Sequence, residues 1–117
     1  MLKIVQIGLG LLLIASNALA VEVTLPDLVG EWNYTAWAES ETPDARQAVG
    51  ATITIKEDGT VITRFRGNDV PARLQFENGE IHYTDTNGTQ AWQVQSFERN
   101  KSLVILHRGA LMFLEKP

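Results

Sequence analysis

The sequence predicts an all-β domain: an antiparallel up-and-down barrel of eight strands, with a short helical turn before the first strand. Three observations carry this expectation. Turn signals recur about every ten residues after Gly30, and the segments between them alternate apolar and polar residues. The connections are short, as in a meander that joins each strand to its neighbour. A meander of this length removes its exposed edges most simply by closing on itself, whereas a flat open sheet, the competing arrangement, would leave two edges free.

A leader precedes the barrel. Lys3 supplies a basic start, residues 4–15 an apolar run, and Ala18-Leu19-Ala20 a small-x-small signal, so residues 1–20 read as a secretory signal peptide cleaved after Ala20. A spanning helix needs about 20 consecutive apolar residues. This run is interrupted by Gln6 and stops at Ser16 and Asn17, so the mature chain is not expected to be an integral membrane protein. A periplasmic or secreted location follows, with residues 21–117 as a single β-barrel domain. Residues 25–29, opened by Pro26-Asp27, suit one helical turn, because proline is preorganised for an early helical position. Strands are expected over residues 31–38, 49–56, 60–67, 70–77, 80–85, 89–98, 102–107 and 110–115. Residues 39–48, with Pro43 and several charges, form the longest connection and the expected mobile loop.

Paired strands must agree about which face is buried, so the register can be worked out. A loop at Glu57-Asp58-Gly59 sets Ile55 against Val61, Ile53 against Thr63 and Ala51 against Phe65. A turn at Asn68-Asp69 would pair Phe65 with Ala72, Thr63 with Leu74 and Val61 with Phe76, and would put Arg64 across from Arg73. Asn78-Gly79 sets Phe76 against Ile81 and Leu74 against Tyr83. Asn87-Gly88 would place Tyr83 against Trp92 and Ile81 against Val94. The last hairpin, turning at Arg108-Gly109, is apolar on both faces: Leu103 with Leu114 and Ile105 with Met112 on one, Val104 with Phe113 and Leu106 with Leu111 on the other. Water rarely meets so large an apolar surface. Either the loop over residues 39–48 covers it or a second copy does, as a homodimer through Leu103, Ile105, Met112 and Leu114.

Composition narrows the function classes. The chain carries 10 Lys and Arg against 14 Asp and Glu, a formal charge of −4 that becomes −5 once Lys3 leaves with the leader. Nucleic acids and anionic membranes are held by basic patches, so neither is expected as a partner. The chain has no cysteine, which removes thiol catalysis and thiolate metal sites. It also leaves a small exported domain without the disulfides that commonly support a thin core.

Gly30-Glu31-Trp32 at the start of the first strand, after a short helical turn and before an eight-strand meander, resembles the lipocalin-like branch of the calycin barrels. The resemblance implies that Trp32 packs across one barrel end, covered by a basic residue near the last strand, Arg108 or Lys116. The segment Leu25-Pro26-Asp27-Leu28-Val29-Gly30-Glu31-Trp32 is also similar to the region where the trunk of small periplasmic metalloprotease inhibitors meets their eight-stranded barrel. That resemblance implies a protein whose N-terminal segment enters a protease active site, though its usual disulfide has no counterpart here.

The residues themselves offer no nucleophile elbow, phosphate loop or paired-carboxylate arrangement. No catalytic, cofactor or metal residues are therefore assigned, and no enzyme is expected. His82, on the outward phase beside Gln75 and Gln93, and His107, flanking a turn, read as ordinary sheet residues. Trp32, Tyr34, Phe65, Tyr83 and Trp92 share the inner phase, where they either fill the barrel or line a site for a small apolar ligand. Trp37 has the opposite phase to Trp32 and would reach the outer apolar patch. Arg64, Arg66 and Arg73 form a candidate patch for an anion or a partner protein, because like charges set across a sheet repel unless something neutralises them. The expected function is a non-enzymatic exported lipocalin-like binding module for a small apolar ligand or another exported protein. The alternatives are a periplasmic protease inhibitor and a structural envelope protein.

Overall fold

The computed structural model describes residues 21–117. The expected leader, residues 1–20, lies outside the described residues. One short helix, α1 (Leu25–Leu28), leads into eight strands: β1 (Gly30–Glu39), β2 (Gln47–Ile55), β3 (Thr60–Phe65), β4 (Asn68–Glu77), β5 (Glu80–Asp85), β6 (Gly88–Glu98), β7 (Ser102–His107) and β8 (Ala110–Glu115). Each strand pairs antiparallel with the next, and β1 also pairs with β8, so the sheet closes into a barrel in sequence order. Closure leaves no free edge to recruit another chain. None of the helices among the described residues is long and apolar enough to cross a membrane.

Three hairpins have the expected partners. Ile55 faces Val61 and Ala51 faces Phe65; Leu74 faces Tyr83 and Phe76 faces Ile81; Leu103 faces Leu114 and Ile105 faces Met112. Two registers differ from expectation. The β3–β4 turn is Arg66-Gly67, not Asn68-Asp69: both residues take positive φ, 54° and 81°, as a type I′ hairpin turn requires. Val61 then faces Ala72, Thr63 faces Val70, and Arg64 faces Asp69 instead of Arg73. The register that sets opposite charges across the sheet replaces the one that sets like charges, and Arg64 Nε lies 2.7 Å from Asp69 Oδ1. The β5–β6 turn lies one residue earlier than expected, with Asp85 opposite Gly88, Tyr83 opposite Gln90 and Ile81 opposite Trp92. His82 consequently faces Gln75 and Ala91, not Gln93.

A bulge between Tyr34 and Ala36 interrupts β1. The extra residue reverses the phase beyond it. Trp37 therefore stands opposite Met112, on the inner phase, and does not join the outer patch, while Ala38 faces Leu111 on the outside.

The core is a column of apolar side chains inside the barrel, including Trp32, Ile53, Ile55, Val61, Leu74, Ile81, Trp92, Val94, Leu103, Ile105 and Leu114. Leu103, Ile105, Met112 and Leu114 are all buried in it. This corrects their reading as a dimer surface, because a partner could reach them only by opening the barrel. On the outer face of the same hairpin, Arg46 from the loop before β2 lies 3.8 Å above the ring of the buried Phe113.

One barrel end is sealed. Asp27 accepts hydrogen bonds from the backbone N–H (2.8 Å) and hydroxyl (3.1 Å) of Thr24, and it pairs with Arg99 at 2.9 Å, which ties α1 to the β6–β7 loop. Leu28 and Trp32 are fully buried, and the Trp32 indole N–H donates to the Leu28 carbonyl at 2.9 Å. Lys116 lies 4.3 Å over the Trp32 ring and donates to the Val29 carbonyl at 3.5 Å. A side chain at Gly30 would collide with the Lys116 ammonium, and φ there is +130°, a conformation that glycine adopts readily and other residues rarely. The basic residue over the tryptophan is thus Lys116, whereas Arg108 stands at the opposite end, in the β7–β8 turn.

Candidate functional site

The unsealed end opens onto a cavity of about 230 Å³ lined by Tyr34, Ile53, Thr63, Val70, Tyr83, Trp92, His107 and Met112. Their placement follows from the strand period, since every second residue of each strand points inward. Tyr34 comes from β1, Ile53 from β2, Thr63 and Val70 from the β3–β4 pair, Tyr83 from β5, Trp92 from β6, His107 from β7 and Met112 from β8.

One wall is aromatic. The rings of Tyr83 and Trp92 stack with centroids 4.9 Å apart and planes 12° from parallel, although the two residues are diagonal and not direct partners. The His107 ring tilts against both, 5.0 Å from Tyr83 and 6.1 Å from Trp92. The Trp92 indole N–H donates to His107 Nδ1 at 3.1 Å. The other ring nitrogen, Nε2, is buried and has no hydrogen-bond partner among the described residues. Burial holds the imidazole below its ordinary value of 6.5, the Arg108 guanidinium lowers it further, and Asp85 opposes both. Asp85 and Arg108 face each other at the rim, 3.8 Å apart. Burial also raises the phenols of Tyr34 and Tyr83, the second with help from Asp85.

Of the five aromatic residues expected to line a site, Tyr34, Tyr83 and Trp92 come together at this cavity. Trp32 is at the sealed end. Phe65 continues the inner phase beyond the mouth, where it is 40% exposed near the 44%-exposed Val70, so the β3–β4 hairpin forms an apolar lip. His107 is the wall residue that the sequence offered only as an ordinary sheet residue flanking a turn. Counting inward positions along Leu103, Ile105 and His107 would have found it.

The three arginines do not gather. Arg64 is paired to Asp69, Arg66 stacks 4.9 Å over Phe65 at the hairpin tip, and Arg73 donates to the Asp58 carbonyl at 3.3 Å near the sealed end. The repulsion that motivated the patch is absent, because Arg73 faces Thr60. His82 is on the outside between Glu77 and Glu80, at 3.8 and 3.1 Å. No group of three or more His, Asp and Glu among the described residues is arranged to hold a metal ion.

The cavity is below the usual range of about 300–1,000 Å³ for ligand pockets, which limits a guest to a small molecule. Its walls can offer dispersion, aromatic stacking and a few polar contacts. Compared with family models, curated proteins and solved structures, the chain finds no match.

Proposed function

We propose that the mature chain is an exported, non-enzymatic binding module that takes a small apolar molecule into the open end of its barrel, in the manner of lipocalin-like proteins. The observation that carries this reading is the asymmetry of the two ends. Leu28, Trp32 and Lys116 seal one, while Tyr34, Tyr83, Trp92 and Met112 line a cavity of about 230 Å³ at the other. A barrel needed only as a packed solid would be filled at both ends, because unfilled apolar space costs stability.

Two measurements test it. Native mass spectrometry of protein purified from its own compartment should find a low-mass apolar occupant. Titration with a naphthalene probe should quench Trp92 fluorescence, and Thr63→Phe, which fills the mouth, should weaken that binding about tenfold or more with the far-ultraviolet spectrum unchanged. Saturable binding that Thr63→Phe leaves intact would overturn the site.

The inhibitor reading needs a free N-terminal segment. Here the Val21 N–H donates to the Val94 carbonyl at 2.7 Å and Val23 packs on the core, so the segment lies along the barrel wall. Co-purification with a protease would favour that reading; finding neither guest nor partner would favour a structural envelope role.

A further inference from the structure

The polar side of the cavity carries a more specific message about the guest. An indole N–H can only donate, so the 3.1 Å contact from Trp92 Nε1 obliges His107 Nδ1 to present its lone pair. A neutral imidazole with an accepting Nδ1 carries its proton on Nε2. The tautomer is therefore set by the neighbour. Among the described residues that Nε2–H meets no acceptor and is shielded from solvent, and a buried donor left unpaired is costly. The same ring forms part of the cavity wall, against the stacked Tyr83–Trp92 pair.

We infer that the guest is a flat apolar molecule bearing one hydrogen-bond acceptor, such as an aromatic ketone, and that the acceptor is received by the Nε2–H of His107. This rests on the cavity reading above and adds to it the polar group of the ligand. The apolar body stacks in the mouth beside Tyr83 and Trp92, where aromatic contacts favour planar guests. Since Nε2 is out of reach of water, the wall must yield slightly as the acceptor enters. Recognition then resembles other small-molecule sites, in which apolar walls supply most of the contact and one placed polar group fixes orientation. Burial and Arg108 both keep the imidazole neutral, which preserves the donor and acceptor roles of its two nitrogens.

The test compares two probes of matched shape, 2-acetylnaphthalene and 2-ethylnaphthalene, by tryptophan fluorescence and calorimetry on the mature protein. The ketone should bind roughly tenfold more tightly than the hydrocarbon, the increment expected from pairing a buried donor. His107→Phe keeps an aromatic ring but removes the donor, so the preference should vanish. His107→Gln, whose amide can accept from Trp92 and donate to the guest, should retain part of it. Nitrogen-15 spectra of labelled histidine give a readout that needs no variant: the Nε2–H signal of His107 should shift with the ketone and not with the hydrocarbon. Equal binding of both probes, or an unmoved Nε2–H signal, would overturn the donor assignment and leave the cavity reading standing. Failure of both probes to bind would overturn the cavity reading itself.

Discussion

The contact between Trp92 and His107 makes one residue a reporter of acidity. Its facing groups are Tyr83 and Asp85 from β5, Trp92 from β6 and Arg108 beside it, and burial with Arg108 outweighs Asp85 in disfavouring the imidazolium. The folded protein therefore takes up the His107 proton at lower pH than the unfolded chain, whose histidines titrate near the ordinary 6.5. Above that value both states are neutral and stability is unaffected. As pH falls below it, the unfolded state binds the proton first, so stability declines until the folded histidine also titrates. Thermal melts should fall across this window, and His107→Gln should flatten that part of the profile; an unchanged profile would show that His107 is not the group responsible. Trp32 is the counterpart at the sealed end. Trp32→Phe removes the bond to the Leu28 carbonyl and part of a fully buried ring, which should cost about 2–4 kcal/mol in denaturant melts. Leu103→Ala, deep in the barrel and fully buried, should cost about 2–5 kcal/mol.

Two turns differ from their expected positions without moving any expected inner residue to the outside, and the strand period explains this. The β3–β4 partners differ by four residues and the β5–β6 partners by two, and an even slip preserves the face each side chain occupies. Val61, Thr63, Leu74, Ile81, Tyr83 and Trp92 therefore keep the inner phase under either register. An odd change has the opposite effect, and the bulge in β1 supplies one. It carries Trp37 inward to stand opposite Met112, a reversal that no alternation count reveals. The Arg66-Gly67 turn can be tested by substitution. Both residues hold positive φ, a conformation that asparagine accepts better than arginine. Arg66→Asn should raise the melting temperature slightly, and Gly67→Val should lower it. The Arg64–Asp69 pair across this hairpin is largely exposed, with side chains 65% and 48% accessible. Asp69→Asn should leave the fold intact, because exposed pairs contribute little.

At the scale of the whole barrel, closure through the β1–β8 pair makes the first and last strands depend on each other. Unfolding should therefore be a single cooperative transition, with circular dichroism and tryptophan fluorescence coinciding. Refolding should take milliseconds to seconds, since non-local pairing is slow; stopped-flow fluorescence checks this, and distinct early and late phases for the two barrel ends would contradict it. The sequence by itself determined the class of fold, the strand count, the inner face outside the β1 bulge, and the turns at Glu57-Asp58-Gly59, Asn78-Gly79 and Arg108-Gly109, because these follow from local periodicity and glycine-bearing turns. The tertiary structure alone decided which aromatic residues share a cavity. Trp32 and Trp92 have the same inward phase, yet one plugs the sealed end beneath Lys116 and the other faces the open mouth beside His107. Height along a barrel depends on stagger accumulated over every hairpin and bulge, so phase is written locally while position is set by the closed sheet.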